Sequence, residues 1–591
     1  MNKTVIFIGL TCIPCYCYGG ECKPNVILFL TDDQGWGDIG IHGNSLIRTP
    51  TLDKMYAESA VLNQFYVSPL SAPSRASLLT GRYHLRTGVS SVQNGLENMR
   101  LEETTLADLF HAAGYVTGCF GKWHNGAYYP YTPNGRGFDE FLGFCCGHWA
   151  NYFDPQLQHN EEIVKVPGYI TDIFTNAAID FIEKNSEKSF FCYIPYNAPH
   201  APMQVPDEYF NHYAHLTAET PRDRDALASI YAMIENVDHN IQRVLECIEK
   251  NGIQKNTIVI FMSDNGPSFV KRYNGGMRGT KGQVHEGGIR VPCFIRWPDK
   301  IRSNIIEYPC AHIDILPTLM DLCNIQDYNT HFPIDGISLK NLLLEMGNGP
   351  KRDLFVHRLQ NPSDSWASKK MIQPWMGGVR HDQYRFVLYK DRCMLFDIVK
   401  DSGETRDISN SNDSLSKILY SKYMNWFQDV SRGASIKPTI IPIGYDEALE
   451  VRIPATEGIM NGRLACYGYP NRNWVNNFIS PDDSLSFDIE IIKDGIFEIW
   501  IEYSLARRTN ATAITVKVGN RTIRTTPSIY EFSKVYSPDR VLRQEAYEMN
   551  WNREKIGVIQ LKKGHYPLKL YAENIPDIES LKIMTLILRR L

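Results

Sequence analysis

The chain has 591 residues, 43% hydrophobic, 12% aromatic and 22% charged, an ordinary globular composition long enough for two or three domains. A formal net charge of −4 lacks the basic balance of a nucleic-acid binder. It leaves an anionic substrate open, because a few cations converging on one cleft barely alter the total.

The chain begins Met1-Asn2-Lys3-Thr4, runs apolar from Val5 to about Tyr18, and reaches Gly19-Gly20. A short basic start, a brief apolar segment and small residues describe a secretory signal peptide over 1–20, too short to span a bilayer. A buried first strand is the weaker reading, since a good strand follows at once at Val26–Leu30. Cys12, Cys15, Cys17 and Cys22 raise the alternative of a lipid-anchored outer-membrane protein. None of them follows a convincing Leu-small-small stretch, so a soluble exported protein, periplasmic in a bacterium, is expected. No later segment is apolar and uncharged for long enough to predict a membrane span. The other cysteines, from Cys119 to Cys466, show neither zinc-ligand spacing nor a disulfide framework. The adjacent Cys145-Cys146 has no physical account.

From Val26 to about Met320 apolar strand-like runs alternate with helical stretches such as Thr104–Ala113 and Arg224–Lys250, which predicts an α/β layer fold. Each run ends in polar residues. Val26–Leu30 is followed by Thr31-Asp32-Asp33, and Tyr115–Phe120 by Gly121-Lys122-Trp123-His124. Phe190–Ile194 is followed by Asn197-Ala198-Pro199-His200, and Thr257–Met262 by Ser263-Asp264-Asn265-Gly266. Open parallel sheets bind ligands at the carboxyl ends of their strands, so these clusters should meet in one crevice. The catalytic domain is expected over 21–345.

A smaller mixed segment follows over 346–440, with strand signals at Phe386–Tyr389 and Met394–Phe396. Beyond Lys437-Pro438-Thr439-Ile440 the character changes. Residues 446–591 hold short alternating strands, among them Leu485–Ile491, Phe497–Tyr503, Ile514–Val518 and Leu568–Tyr571. A tight hairpin is predicted at Val518-Gly519-Asn520-Arg521, and the whole suggests an appended β-sandwich.

The most specific stretch is Ser71-Ala72-Pro73-Ser74-Arg75-Ala76-Ser77-Leu78-Leu79-Thr80-Gly81-Arg82. It reads as a turn entering a helix, with Pro73 in the first turn and Gly81 at the stop. Ser71 then sits just before a helix N-terminus, where amides and the macrodipole favour an anion. A Ser-capped helix is the ordinary alternative. The stretch resembles the signature of the formylglycine-dependent sulfatases: Cys or Ser, then X-Pro-Ser-Arg-X-X-X-Leu-Thr-Gly-Arg. Every fixed position matches, and the resemblance extends from about Pro24 to Trp426.

The resemblance implies an alkaline-phosphatase-like α/β fold, with a large mostly parallel sheet flanked by helices and a smaller α+β C-terminal subdomain. It also implies that Ser71 is oxidised to formylglycine (3-oxoalanine). A serine start resembles the branch matured by a radical maturase in anaerobic bacteria. A sulfated serine alkoxide would have no easy way to turn over. An aldehyde hydrate offers two hydroxyls, one to attack sulfur and one to expel sulfate later.

Asp32, Asp33, Asp264 and Asn265 offer only oxygen donors, which favours calcium over zinc. Asp32-Asp33 alone could be a turn; paired with Asp264-Asn265 it becomes a metal site, as in the family, where Ser71 joins the ligands. By resemblance Arg75 and Lys122 hold and polarise the formylglycine, and His124 helps to deprotonate it. His200 and Lys281 would bind sulfate, with His200 the better acid for the leaving oxygen. Lys281 lies in Arg278-Gly279-Thr280-Lys281-Gly282-Gln283-Val284-His285-Glu286-Gly287-Gly288. Asn125 stands where the family's Gly-Lys-Trp-His run continues with Leu, which puts the local packing in doubt. Segment Gly135–Asp154 should help to form the substrate rim, and His148 and Trp149 are candidates for contact with sugar, a packed aromatic being the alternative.

Asn197-Ala198-Pro199-His200-Ala201-Pro202-Met203 resembles arylsulfatases acting on galactose or N-acetylgalactosamine sulfates. The expected activity is therefore hydrolysis of a sulfated carbohydrate. A phosphate or phosphonate monoesterase using Ser71 directly, and a non-catalytic glycan-binding protein, are the competing functions. In the sandwich, Trp474, Trp500 and Trp551 could stack on sugars, although a core position is the commoner role for such tryptophans.

Overall fold

A computed structural model describes residues 23–591, apart from 269, 327, 346, 360–371, 435–438, 467–472 and 544. The expected leader and Cys12, Cys15, Cys17 and Cys22 lie outside the described residues. So does Lys437-Pro438 of the expected domain junction.

The four apolar runs are strands β1 (Asn25–Thr31), β2 (Val116–Lys122), β3 (Phe190–Pro195) and β4 (Thr257–Ser263). They lie in the order β4-β1-β3-β2 at the centre of a 10-stranded sheet and pair in parallel, with Leu28 opposite both Ile260 and Tyr193. Glu140–Phe144 continues the parallel set beyond β2, while Cys293–Arg296 runs antiparallel to β4.

All seven residues of β1 are buried, because both faces of the sheet are covered. Alternation divides the strand between two cores. Val26, Leu28 and Leu30 pack with Ala72, Ala76 and Leu78 of helix α1 (Ser71–Thr80). Ile27 and Phe29 pack with Ile230, Ile234 and Val237 of α2 (Pro221–Lys250) on the other face. Thr220 caps α2, its side chain accepting from Asp223 N, and Pro221 occupies the first turn, where a missing N–H costs nothing. Gly81 ends α1 at φ 68°, a left-handed conformation that suits glycine.

The smaller subdomain is a four-stranded antiparallel sheet, from Asp353–His357 to Arg392–Asp397, covered by the helix Asp413–Val430. The last region is a β-sandwich of two sheets, and its first paired strand, Ile441–Ile443, lies ahead of the expected start at 446. Val518 pairs with Arg521 across the predicted hairpin. Tyr128 and Tyr131 of the catalytic region enter the sandwich core, so the two units share apolar packing.

Candidate active site

The carboxyl ends of the central strands converge. Asp32 and Asp33 follow β1, Lys122 closes β2, His200 follows β3, and Asp264 and Asn265 follow β4. Helix α1 brings Ser71 and Arg75 to the same point. Gly121 lets β2 approach β3 there: a Cβ on it would meet the Pro195 carbonyl oxygen at 2.1 Å. Asp33 and His124 adopt left-handed backbone, at φ 68° and 67°. Such strain in non-glycine residues concentrates at functional sites.

Ser71 is the first residue of α1 rather than the residue before it, and Leu70 stands at the N-cap without a side-chain bond. The Ser71 hydroxyl therefore does no capping. It donates to Asp32 Oδ1 at 3.0 Å and lies 3.3 Å from Asn265 Oδ1. Asn265 Nδ2 donates to Asp33 Oδ1 at 2.8 Å, which orients the amide oxygen toward Ser71. Asp33 N donates to Asp264 Oδ1 at 3.2 Å.

Cations surround these carboxylates. Arg75, fully buried, donates from Nε and Nη2 to Asp264 Oδ2 at 3.2 and 2.9 Å, and from Nη1 to the Lys122 carbonyl at 2.7 Å. Lys122 Nζ lies 2.5 Å from Asp32 Oδ2, and Lys281 Nζ 2.7 Å from Asp33 Oδ1. Burial alone would raise the Asp32 carboxyl, but Lys122, His200, Arg75 and Lys281 outweigh it and hold the group well below the usual range. Asp264 goes the other way, pushed up to about 6 by burial and by Asp32, against the pull of Arg75. Burial lowers Lys122 despite Asp32.

The two histidines are held differently. Burial, reinforced by Lys122, keeps His124 well below its ordinary value and hence neutral. Its Nε2 lies 3.0 Å from the Val92 carbonyl, which places the proton there and leaves Nδ1 as an acceptor. His200 Nδ1 lies 2.7 Å from the Ala201 carbonyl, so its other nitrogen is the one free to exchange a proton. Burial and Lys281 lower His200, against Asp32 and Asp33.

Asp32, Asp33 and His200 bring ligand atoms close enough together to share one ion. Asp264 and Asn265 adjoin this group, Asp264 through the Asp33 amide and Asn265 through the Ser71 hydroxyl, and Asp264 lies outside the cluster itself. Two clustered carboxylates, with the Asp264 carboxylate and the Asn265 amide oxygen adjoining, are the oxygen-rich surroundings that a hard cation such as calcium favours. His200 stands closer to this group than its sequence role as an acid alone suggests. Lys122 and Lys281 rest on the carboxylate oxygens that such an ion would share.

Asn125 settles the packing raised by its departure from the family run. It is fully buried, and its Nδ2 donates to the Ala72 and Glu97 carbonyls at 3.1 and 3.3 Å, tying β2 to α1. Trp149 is buried and stacks on Phe144 at 4.9 Å between centroids, a packing position. His148 does reach the site, its ring centroid 6.1 Å from that of His200. Arg272 was missed by sequence reasoning: it grips Asp38 at 2.8 and 2.9 Å and donates to the Asp33 carbonyl at 2.9 Å, bracing the Asp32-Asp33 turn. Its neighbour Lys271 is exposed, and nothing in the pair Lys271-Arg272 distinguishes the buried member.

A family model described as Sulfatase matches residues 24–325, and one described as N-sulphoglucosamine sulphohydrolase, C-terminal, matches 280–425. The chain is 31% identical over 394 residues to the uncharacterized sulfatase YdeN of Escherichia coli (strain K12), covering 57% of this chain and 69% of that protein. It is 30% identical over 385 residues to N-acetylgalactosamine-6-sulfatase of Mus musculus, covering 58% and 70%. Among solved structures, Ps i-CgsB in complex with k-i-k-neocarrahexaose is 29% identical with a TM-score of 0.62, covering 69% of this chain and 93% of that one. Neither family model extends into the sandwich.

Proposed function

Since the chain belongs to the sulfatase family and is a sulfuric ester hydrolase, we propose that it removes sulfate from a carbohydrate, a galactose or N-acetylgalactosamine sulfate, after Ser71 has been matured to formylglycine. The observation that carries the reading is the Ser71 hydroxyl, withdrawn from capping α1 and turned into a buried cluster of carboxylates and cations. The proposal includes export to the periplasm, on the strength of the N-terminal apolar segment.

Asp32, Asp33, Asp264, Asn265 and residue 71 would hold a calcium ion, which when bound supplies the positive charge that offsets repulsion between two anions. As a hydrated aldehyde, residue 71 presents two hydroxyls, one for attack on sulfur and one for release of sulfate. The remaining work falls to the chain. Arg75 fixes Asp264 through two nitrogens and the Lys122 carbonyl through a third, which preorganises the floor of the site. Lys122 and Lys281 have ammonium groups within reach of incoming sulfate oxygens. His124, neutral with Nδ1 unprotonated, takes a proton from residue 71. His200, once protonated on both ring nitrogens, gives the proton on the nitrogen not engaged by Ala201 to the departing sugar oxygen and is left neutral.

The test combines peptide mass spectrometry of residue 71 with turnover of a sulfated-sugar panel by protein matured in an anaerobic host. An aldehyde or its hydrate together with sulfate release is expected. Active protein with only unmodified serine at 71 would overturn the formylglycine route.

A further inference from the structure

The sandwich reaches back to the cleft through one excursion. Between Tyr530, which still pairs with Leu505 of the sheet, and Asn552 the chain projects as a two-stranded finger, with Val535 N donating to the Glu548 carbonyl and Asn550 N to the Ser533 carbonyl, each at 2.9 Å. Its tip rests on the two catalytic segments that carry His148 and His200 through Tyr536, Ser537, Asp539, Arg540 and Arg543.

Arg543 is its hub, with a side chain only 1% exposed. Its Nη1 donates to the Ala150 carbonyl at 2.5 Å, its Nε and Nη2 to Asp539 at 3.0 and 2.8 Å, and Nη2 also to Ser537. Gln204 Nε2 donates to Ser537 Oγ and Asp539 Oδ1 at 2.7 and 2.9 Å, while its Oε1 accepts from Tyr152 N at 2.7 Å. The Tyr152 hydroxyl lies 3.0 and 2.9 Å from the carbonyls of His200 and Ala201. Gln204 and Tyr152 thus link the finger to the His200 backbone, Tyr152 through its backbone at one end and its hydroxyl at the other. Arg540 adds a second anchor, its backbone N donating to the Met203 carbonyl at 2.9 Å and its guanidinium to the Val205 carbonyl at 3.1 Å.

Two features point to a ligand. His148 is 3% exposed; the Ala546 carbonyl of the finger sits against one side of the ring, and the remaining ring nitrogen has no partner among the described residues. Buried polar groups are nearly always bonded, so that nitrogen is placed to receive a group from elsewhere. On the rim, Asn151 Nδ2 donates to the Tyr536 carbonyl at 3.4 Å, and Tyr536 stands 83% exposed beside the anchored Ser537 and Asp539. A solvent-facing aromatic ring whose backbone is tied to the segment carrying His148 suits the apolar face of a sugar.

We propose that the finger is the sugar-side wall of the sulfate pocket: His148 contacts a hydroxyl of the sulfated sugar, Tyr536 stacks on a sugar ring at the rim, and Arg543 is the positioning residue that holds His148 and Ala150 in place. The inference rests on the sulfatase reading for its class of ligand. It makes the sandwich part of the active site rather than a separate module.

Calorimetric binding to the full chain with unmodified Ser71 separates this inference from turnover. The probes are galactose 6-sulfate, N-acetylgalactosamine 4-sulfate, N-acetylgalactosamine 6-sulfate and inorganic sulfate. Tyr536→Ala and Arg543→Lys should each weaken the best-bound sugar sulfate about tenfold and leave inorganic sulfate within about twofold. Tyr536 is exposed, so its variant remains informative if Arg543→Lys fails to fold. Unchanged binding of the sugar sulfate, an equal loss for sugar sulfate and inorganic sulfate, or wild-type protein that binds none of the sugars would each overturn the proposal. Failure of the matured enzyme to release sulfate from any substrate would instead strike the sulfatase reading.

Discussion

Replacing Glu457 by Gln should change how the stability of the protein depends on pH. Glu97 of the catalytic domain and Glu457 of the sandwich are both buried where the two units meet, at 6% and 5% exposure. Asn98 and Tyr128 hydrogen-bond Glu457, and Asn98 Nδ2 also donates to Thr439 Oγ1 at 3.0 Å. Burial pushes Glu97 up to about 7; burial and the neighbouring Glu97 push Glu457 up to about 8. Unfolded, both carboxyls return to the ordinary range near 4.5. The folded protein therefore holds protons that the unfolded chain has released, and stability falls as pH rises. The contribution is fully present below about pH 4.5 and is lost as the pH passes through 7 and 8. Each such proton is worth about 1.4 kcal/mol per pH unit. Two carboxyls repelling each other share that change, so a loss of a few kcal/mol between pH 5.5 and 8 is the reasonable scale. Urea midpoints measured at intervals across that range should fall steeply for the wild type. Glu457→Gln, whose amide cannot ionise, should fall about half as steeply and be the more stable protein at pH 8. Parallel curves for the two proteins would refute the reasoning.

Other expectations come from the site. Arg75→Met leaves Asp264 buried beside an apolar chain and should cost about 3–5 kcal/mol, read as a lowered urea midpoint; a variant as stable as wild type would contradict the geometry. Arg75→Lys should restore little of it, since a single ammonium cannot reach both Asp264 and the Lys122 carbonyl as the guanidinium does. His200→Ala should slow sugar sulfates by about 10²–10⁴-fold and a nitrophenyl sulfate much less, because a phenolate leaves without an acid; equal losses with chemistry rate-limiting would remove His200 as the donor. Chelation should abolish turnover and calcium, not zinc, should restore it, whereas two zinc ions per chain on elemental analysis would favour a phosphatase chemistry.

Much of the site was legible because uniformly apolar strands announce a sheet covered on both faces, and the polar residues at the carboxyl ends of such strands form its binding edge. Asp32, Lys122, His200 and Asp264 could be placed together from that rule alone. Ser71 was harder: propensity describes a capped helix, and only the structure shows its hydroxyl engaged with Asp32 while Leu70 holds the cap position. The finger could not be found from local pattern. Arg540, Arg543 and Asp539 look like the solvated charges of any loop, and their burial depends on Gln204 and Ala150, hundreds of residues away. Trp149 was ambiguous for a related reason, since its stacking on Phe144 is settled only by the fold.

The inaccessibility of Ser71 also imposes an order of events. Every residue of α1 is buried, and Ser71 itself is 1% exposed beneath the carboxylates and cations of the site. No second protein could bring its own catalytic groups to that hydroxyl without dismantling β1, α1 and the strands beside them. Any enzyme that chemically alters Ser71 must meet the segment from Ser71 to Arg82 while it is still an open strand of polypeptide. The interval available closes when the central sheet forms. If Ser71 is matured as proposed, how fast this chain folds relative to how fast it is modified sets what fraction of the molecules can ever become active.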